Sequence, residues 1–108
     1  MNGGSSSIEA SAIFSTDGLI MASALPCGVN EDQLGAMSSA MLSLGDRVSR
    51  ELKRGDLEQV LVKGQSGSIV LIRAGDDAVL TVIAHADSKL GMVFLDAGRA
   101  AAEIAVLI

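Results

Sequence analysis

The chain has 108 residues, of which 49% are hydrophobic, 19% charged and 2% aromatic, and its net charge is −5. This length fits a single domain that can bury its own core. The acidic balance and the absence of Tyr and Trp leave neither a basic stripe nor a stacking platform, which argues against a nucleic-acid partner.

Residues 1–7, MNGGSSS, are expected to form a flexible leader without the features of a signal peptide, and residues 8–108 a single domain. The longest apolar run, residues 100–108, is far shorter than the roughly 20 residues of a membrane span, so no membrane span is expected. The single cysteine, Cys27, cannot form an internal disulfide, and the expected location is the cytoplasm.

The stretch FSTDGLIMAS places Asp17 and Gly18 between two alternating segments, residues 8–15 and 19–25. Alternation of apolar and small polar residues is typical of half-exposed strands. Asp-Gly between such segments favours a tight turn, because glycine adopts positive φ and the Asp side chain can hydrogen-bond the turn backbone. The sequence therefore predicts an opening β-hairpin, and this turn explains Asp17 without a catalytic role.

A helix is predicted over residues 30–54. Asn30 and Gln33 form a capping box, and two acids follow in the first turn, where the helix dipole favours negative charge. Basic residues suit the other end, and Gly55 is expected to be the C′ glycine that ends the helix.

Three further strands are predicted at residues 57–63, 68–74 and 78–85, separated by glycine-bearing turns. The last two are apolar on both faces and should be central strands. A second helix, capped by Ser88, should follow over residues 88–107. The order β-β-α-β-β-β-α predicts an α+β fold, a five-stranded antiparallel sheet with helices on both faces.

The first helix carries two neighbouring rows of residues. The first row, the apolar stripe, is expected to face the sheet and comprises Leu34, Met37, Met41, Leu44, Val48 and Leu52. The second, the small-residue row, comprises Gly35, Ser38, Leu42, Gly45 and Ser49. Each glycine inside a helix costs about 1 kcal/mol relative to alanine, so a close backbone approach is expected to offset that cost.

Two interpretations of the small-residue row remain open. In one, Gly35 and Gly45 let the helix sit tightly on its own sheet. In the other, a second copy packs on this row with Leu42 as the knob, and the next strand pairs with its copy across a two-fold axis. The second interpretation predicts a dimer interface at Gly35, Ser38, Leu42, Gly45, Ser49, Leu57, Gln59 and Leu61.

No catalytic, metal or cofactor site is predicted. His85 is the only histidine and Cys27 the only cysteine, so zinc ligands are too few and the thiol has no histidine near it in sequence. The glycine-bearing turns contain neither the Gly-Lys-Ser/Thr of a phosphate-binding loop nor the Gly-x-Gly-x-x-Gly of a dinucleotide-binding site. A basic cluster on the first helix, Arg47, Arg50, Lys53 and Arg54, is explained either as a solvated face or as a contact of Arg47, Arg50 and Arg54 with an acidic partner.

Taken together, these segments resemble the Roadblock/LC7 family, which includes dynein light chains, the bacterial MglB polarity proteins and subunits of lysosomal Ragulator. The resemblance lies in FSTDGLIMAS, the helix of residues 30–54, LEQVLVKG with GSIVLIRAGDDAVLTVIA, and SKLGMVFLDAGRAAAEIAVL. It spans nearly the whole chain beyond the leader. It departs from the family where many members carry an N-terminal helix and this chain has MNGGSSS.

The resemblance implies a layered, profilin-like architecture and a homodimer in which first helices and edge strands meet. It also implies a non-enzymatic scaffold or regulator of a small Ras-like GTPase. A structural assembly subunit and a small-molecule sensor remain as alternatives. Scarce aromatic residues and the lack of convergent polar groups on the apolar faces argue against the sensor.

Overall fold

The computed structural model describes residues 8–25, 28–86 and 89–107. Within them the order is β1 (Ile8–Ser15), β2 (Ile20–Ala24), α1 (Glu31–Glu51), β3 (Gln59–Gly64), β4 (Gly67–Arg73), β5 (Ala78–His85) and α2 (Leu90–Leu107). The strands form one antiparallel sheet in the order β2-β1-β5-β4-β3. The predicted leader, Cys27 and the Ser88 cap lie outside the described residues.

The opening hairpin is confirmed, with its turn at Asp17 and Gly18. Gly18 has φ +89°, and its backbone N–H donates to the Ser15 carbonyl at 2.9 Å. Ser15 donates its own N–H to the Leu19 carbonyl at 2.8 Å, which closes the hairpin. Asp17 lies exposed at the tip, as its turn role requires.

One helix packs on each face of the sheet, and β5 contributes to the two separate cores that result. Leu80 and Val82 pack with Val93 and neighbouring α2 residues on one face. Val79, on the other face, packs with Leu42 of α1. β5 pairs with β1 on one side and β4 on the other, so it is a central strand, as its two apolar faces predict. The predicted α+β fold with helices on both faces is therefore confirmed.

The start of α1 is as predicted, but its end is not. Asn30 accepts the Gln33 backbone N–H on its side-chain oxygen at 3.0 Å. The helix ends at Glu51, and the left-handed residue that follows is Lys53, with φ +57°. Lys53 N–H donates to the Arg50 carbonyl and Arg54 N–H to the Ser49 carbonyl, the hydrogen-bond pattern of a Schellman cap.

The expectation that Gly55 is the C′ residue is therefore wrong. Gly55 has φ +87° but lies in the connection to β3. The Ser49 hydroxyl donates to the Gly55 carbonyl at 2.8 Å, and Asp46 accepts the Leu57 backbone N–H at 3.2 Å. These bonds draw the connection back along α1, so the helix closes before Gly55 is reached.

Candidate functional site

The small-residue row of α1 packs against the chain's own sheet. Leu42 is 3% exposed and lies in a cluster with Leu71 and Val79. The Ser38 hydroxyl is buried 3.2 Å from the Thr81 hydroxyl. These side chains belong to the interior of one chain and present no surface to a second copy.

The two glycines of this row also serve contacts within the chain. A Cβ added to Gly35 would overlap the carbonyl oxygen of Gly18 and lie 3.0 Å from the Phe14 ring. A Cβ added to Gly45 would lie 2.9 Å from Leu57 Cδ2. The structure therefore agrees with the interpretation in which Gly35 and Gly45 seat α1 on its own sheet.

The expectation that the apolar stripe faces the sheet is wrong for most of its members. Leu34 is buried and Met41 half-buried. The exposed fractions of the other four are 49% for Met37, 63% for Leu44, 48% for Val48 and 65% for Leu52. The reason is that bulky strand side chains already fill the space between α1 and the sheet. A helix row of small residues therefore packs on the sheet without voids or overlap.

The exposed part of the apolar stripe and the edge strand β3 together form one apolar groove of about 560 Å³. We call this the α1–β3 surface, and its main residues are Met41, Leu44, Val48, Leu52, Val60 and Val62. Among the described strands, β3 pairs only with β4. The surface therefore combines exposed apolar side chains with backbone groups free to pair.

The predicted interface residues of β3 lie at different places around this edge. Leu57 precedes the strand and packs under Gly45. Gln59 and Leu61 are exposed, but they lie opposite Ile72 and Val70 in the register and so share the α2 face of the sheet. On the α1 face, Val60 lies opposite Leu71, and this position was missed in the sequence.

The predicted basic cluster is largely neutralised by acids of the same chain. Arg47 pairs with Glu51 at 3.1 Å. Arg50 pairs with Asp46 at 3.2 Å and with Asp56 at 3.1 Å. Arg54 lines the end of the α1–β3 surface and has no ion pair among the described residues.

Asp46 is a structural residue that was not singled out in the sequence. Its side chain is 20% exposed and lies near both Arg50 and Arg73. It also accepts the Leu57 N–H, and Arg73 Nε donates to the Leu57 carbonyl at 3.0 Å. These contacts fix the connection that leads into β3, and the i, i+4 spacing of Asp46 and Arg50 was the available signal.

Within residues 8–25, 28–86 and 89–107, no three or more His, Cys, Asp or Glu side chains are grouped as a metal site would require. His85 lies exposed at the end of β5. The helices in the same part of the chain are too short or too polar to cross a membrane.

A five-stranded antiparallel sheet between two helices, with an exposed helix-and-edge surface, defines a layered α+β domain. The family model of the Roadblock/LC7 domain matches residues 4–84, and the chain belongs to this family. An uncharacterized protein of Methanocaldococcus jannaschii is 35% identical over 97 residues, which cover 90% of this chain and 84% of the relative.

Two solved structures show how widely the fold is shared. MglB of Myxococcus xanthus is 17% identical with a TM-score of 0.87, covering 93% of this chain and 82% of that chain. Profilin II of Acanthamoeba castellanii is 16% identical with a TM-score of 0.71, covering 97% and 90%. The profilin-like architecture is therefore confirmed, and a fold common to both proteins does not decide function.

Proposed function

We propose that this protein is a non-enzymatic homodimeric scaffold or regulator of a small Ras-like GTPase, and that a second copy covers the α1–β3 surface. Membership of the Roadblock/LC7 family supports the GTPase part. The exposed apolar stripe of α1 is the observation that carries the dimer part. The proposal includes the cytoplasmic location expected from the sequence.

The apolar stripe supports self-association through its exposed area. Leu44 and Leu52 are each more than 60% exposed, and Val48 and Met37 about half exposed. Fully burying one such side chain contributes about 1.5–3 kcal/mol. A two-fold axis doubles every contact, which helps to offset the cost of association.

The free edge of β3 supports the same arrangement. A two-fold axis beside β3 would pair the strand with its copy in antiparallel orientation and extend one sheet through both subunits. Gln59 and Leu61 would then lie at the junction, as predicted from the sequence. Gly35, Ser38 and Leu42 would contribute only by seating α1.

The proposed regulator holds its partner without donating catalytic groups. Arg47 and Arg50 pair with acids of their own chain, but these pairs are exposed and therefore weak. Both arginines lie outside the lining of the α1–β3 surface and so stay accessible to an acidic partner in the proposed dimer, whereas Arg54 lines that surface.

The dimer is tested with Leu44→Asp and a matched control, Leu19→Asp. Both residues are exposed leucines, at 63% and 70%, but Leu19 follows the β1–β2 turn. Light scattering coupled to gel filtration should give a dimer for the wild type and Leu19→Asp, and a monomer with native circular dichroism for Leu44→Asp. A monomeric wild type, or a Leu44→Asp dimer as tight as the wild type, would contradict the proposed interface.

The GTPase is tested by affinity capture from the native cell extract, with a GTP analogue or GDP in parallel arms and mass spectrometry of captured proteins. A small GTPase retained mainly with the analogue would support the proposal and would lead to hydrolysis and exchange assays with that purified GTPase. Absence of a GTPase from both arms, with the dimer intact, would favour the structural subunit or the sensor.

A further inference from the structure

The backbone hydrogen-bonding groups of β3 alternate in direction along the strand. In an antiparallel pair, residues whose N–H and C=O groups point to the neighbouring strand alternate with residues whose groups point away from it. The Arg73 backbone N–H donates to the Glu58 carbonyl at 3.2 Å, so Glu58 points its carbonyl toward β4. In the β3–β4 register, the next residues that bond to β4 are therefore Val60 and Val62.

Gln59, Leu61 and Lys63 consequently turn their backbone N–H and C=O groups away from β4. No described strand pairs with them on that side, because β3 is the last strand in the order of the sheet. Their side chains share the α2 face of the sheet. The free edge of β3 thus offers three residues that can each form ladder hydrogen bonds with another strand.

These three residues select one register for the pairing of β3 with its copy. Because directly opposed residues share a face of the sheet, a two-fold axis perpendicular to the sheet must pass through a residue of the strand. An axis at Leu61 places Leu61 opposite itself and Gln59 opposite Lys63. Every outward N–H and C=O group of the strand then has a hydrogen-bond partner.

The two neighbouring registers leave outward groups of β3 without partners. An axis at Val60 places Lys63 opposite Leu57, whose N–H and carbonyl are already bonded within the chain. An axis at Val62 places Gln59 opposite residue 65, which lies in the turn between β3 and β4. The axis at Leu61 therefore gives the most complete ladder.

The same register brings opposite charges together. Gln59 lines a cavity of about 460 Å³ together with Asp56 and Glu58, and we call it the edge cavity. Arg73 also lines it, but the Arg73 guanidinium already bonds groups of its own chain. Glu58 and Lys63 have no ion pair among the described residues. With the axis at Leu61, Lys63 of the partner subunit lies opposite Gln59, and its long side chain reaches the edge cavity.

From the outward backbone groups and these charges we infer that β3 pairs with a second copy around an axis at Leu61, and that Lys63 of each subunit completes the edge cavity of the other. This inference rests on the proposed dimer and specifies its register. On the α1 face, Val60 lies opposite Val62 of the partner subunit. The apolar floor of the α1–β3 surface therefore continues across the axis.

Disulfide trapping in a Cys27→Ser background reads the register directly. Leu61→Cys should crosslink to its own copy, because opposed residues of a hydrogen-bonded antiparallel pair have Cα atoms about 5.5 Å apart, which a disulfide can span. Gln59→Cys should crosslink only after subunit exchange with Lys63→Cys. Leu19→Cys, at the exposed β1–β2 turn, is the matched control for random collision. Non-reducing gels measure the rate of each crosslink.

Charge exchange tests the contribution of the partner subunit to the edge cavity. Lys63→Glu should weaken the dimer about fivefold, as expected for an exposed ion pair lost at each of two symmetric positions. Adding Glu58→Lys should restore the affinity of the wild type. Lys89→Glu makes the same charge change at an exposed lysine before α2 and should leave the affinity unchanged. Sedimentation equilibrium gives the dissociation constants.

The outcomes separate this inference from the proposed dimer. Preferred crosslinking of Leu61→Cys with Gln59→Cys or with Lys63→Cys, instead of with its own copy, would move the axis by one residue and overturn the inference. A stable dimer whose β3 cysteines crosslink no faster than the collision control, or in which Glu58→Lys fails to restore Lys63→Glu, would also overturn it and leave the dimer standing. A monomeric wild type would overturn both.

Discussion

Replacement of Gly35 by alanine tests directly how α1 sits on the sheet. The added methyl group would overlap the carbonyl oxygen of Gly18 and lie 3.0 Å from two carbons of the Phe14 ring. Gly18 cannot move away freely, because it holds a tight turn at φ +89°. The Ser39 hydroxyl also ties that turn to α1, since it donates to the Thr16 carbonyl at 2.8 Å.

The expected magnitude follows from two opposing effects. Alanine is about 1 kcal/mol more favourable than glycine inside a helix. Overpacking of a close contact costs about 1–3 kcal/mol and sometimes more, and contact with backbone atoms belongs at the upper end. We therefore expect Gly35→Ala to lose about 2 kcal/mol of unfolding free energy. For a domain of this size, this loss corresponds to a melting temperature lower by about 10 °C.

The assay is urea unfolding followed by circular dichroism, in the Leu44→Asp background so that association does not contribute. Gly98→Ala is the matched control, because a Cβ at Gly98 meets no atom of the described residues within 4 Å, and its unfolding free energy should rise by about 1 kcal/mol. If Gly35→Ala proved as stable as its parent, the seating of α1 would be refuted. If Gly35→Ala in the otherwise wild-type protein changed dimer dissociation and left the stability of the monomeric background unchanged, Gly35 would instead belong to the interface.

Three further substitutions test the same description. Lys53→Gly should raise the unfolding free energy by about 1 kcal/mol in urea titration, because it relieves a left-handed φ of +57°; a loss would contradict the Schellman cap. Leu42→Asp should give insoluble or unfolded protein, since Leu42 is 3% exposed, and a folded monomer would count against its burial. Ser38→Ala should cost about 1–2 kcal/mol by leaving the Thr81 hydroxyl unpaired, and the double variant with Thr81→Val should recover part of that loss.

Local signals were enough to predict the elements of the fold. Asp17 and Gly18 specify a two-strand opening because a tight turn needs a residue at positive φ. The Asn30 side chain accepts the backbone N–H of Gln33 at the start of α1, and the two residues are only three positions apart in the sequence. β5 is apolar at nearly every position, which only a strand covered on both faces tolerates.

The face that α1 turns to the sheet could not be predicted in the same way. The apolar stripe is the more hydrophobic of two adjacent rows, and hydrophobicity alone assigns it to the core. The choice depends on the space left by Phe14, Leu71 and Val79, which come from three different strands. The left-handed conformation of Lys53 was not predicted for a related reason. The position where α1 ends depends on the hydrogen bonds of Asp46 with Leu57 and of Ser49 with Gly55.

Because the small-residue row of α1, and not the apolar stripe, faces the sheet, the role of the α1 glycines in assembly is indirect. Gly35 and Gly45 bring the helix close to its own sheet, and the apolar stripe is thereby turned outward along the β3 edge. These half-exposed Leu, Val and Met side chains form one continuous apolar patch. Continuous apolar patches mark sites of association, whereas single exposed apolar residues do not. Substitutions at Gly35 should therefore act through folding, and substitutions at Leu44 through association. If variants at both positions lost the dimer without losing stability, both rows of α1 would have to face a second copy, and that result would contradict the burial of Leu42 against the chain's own sheet.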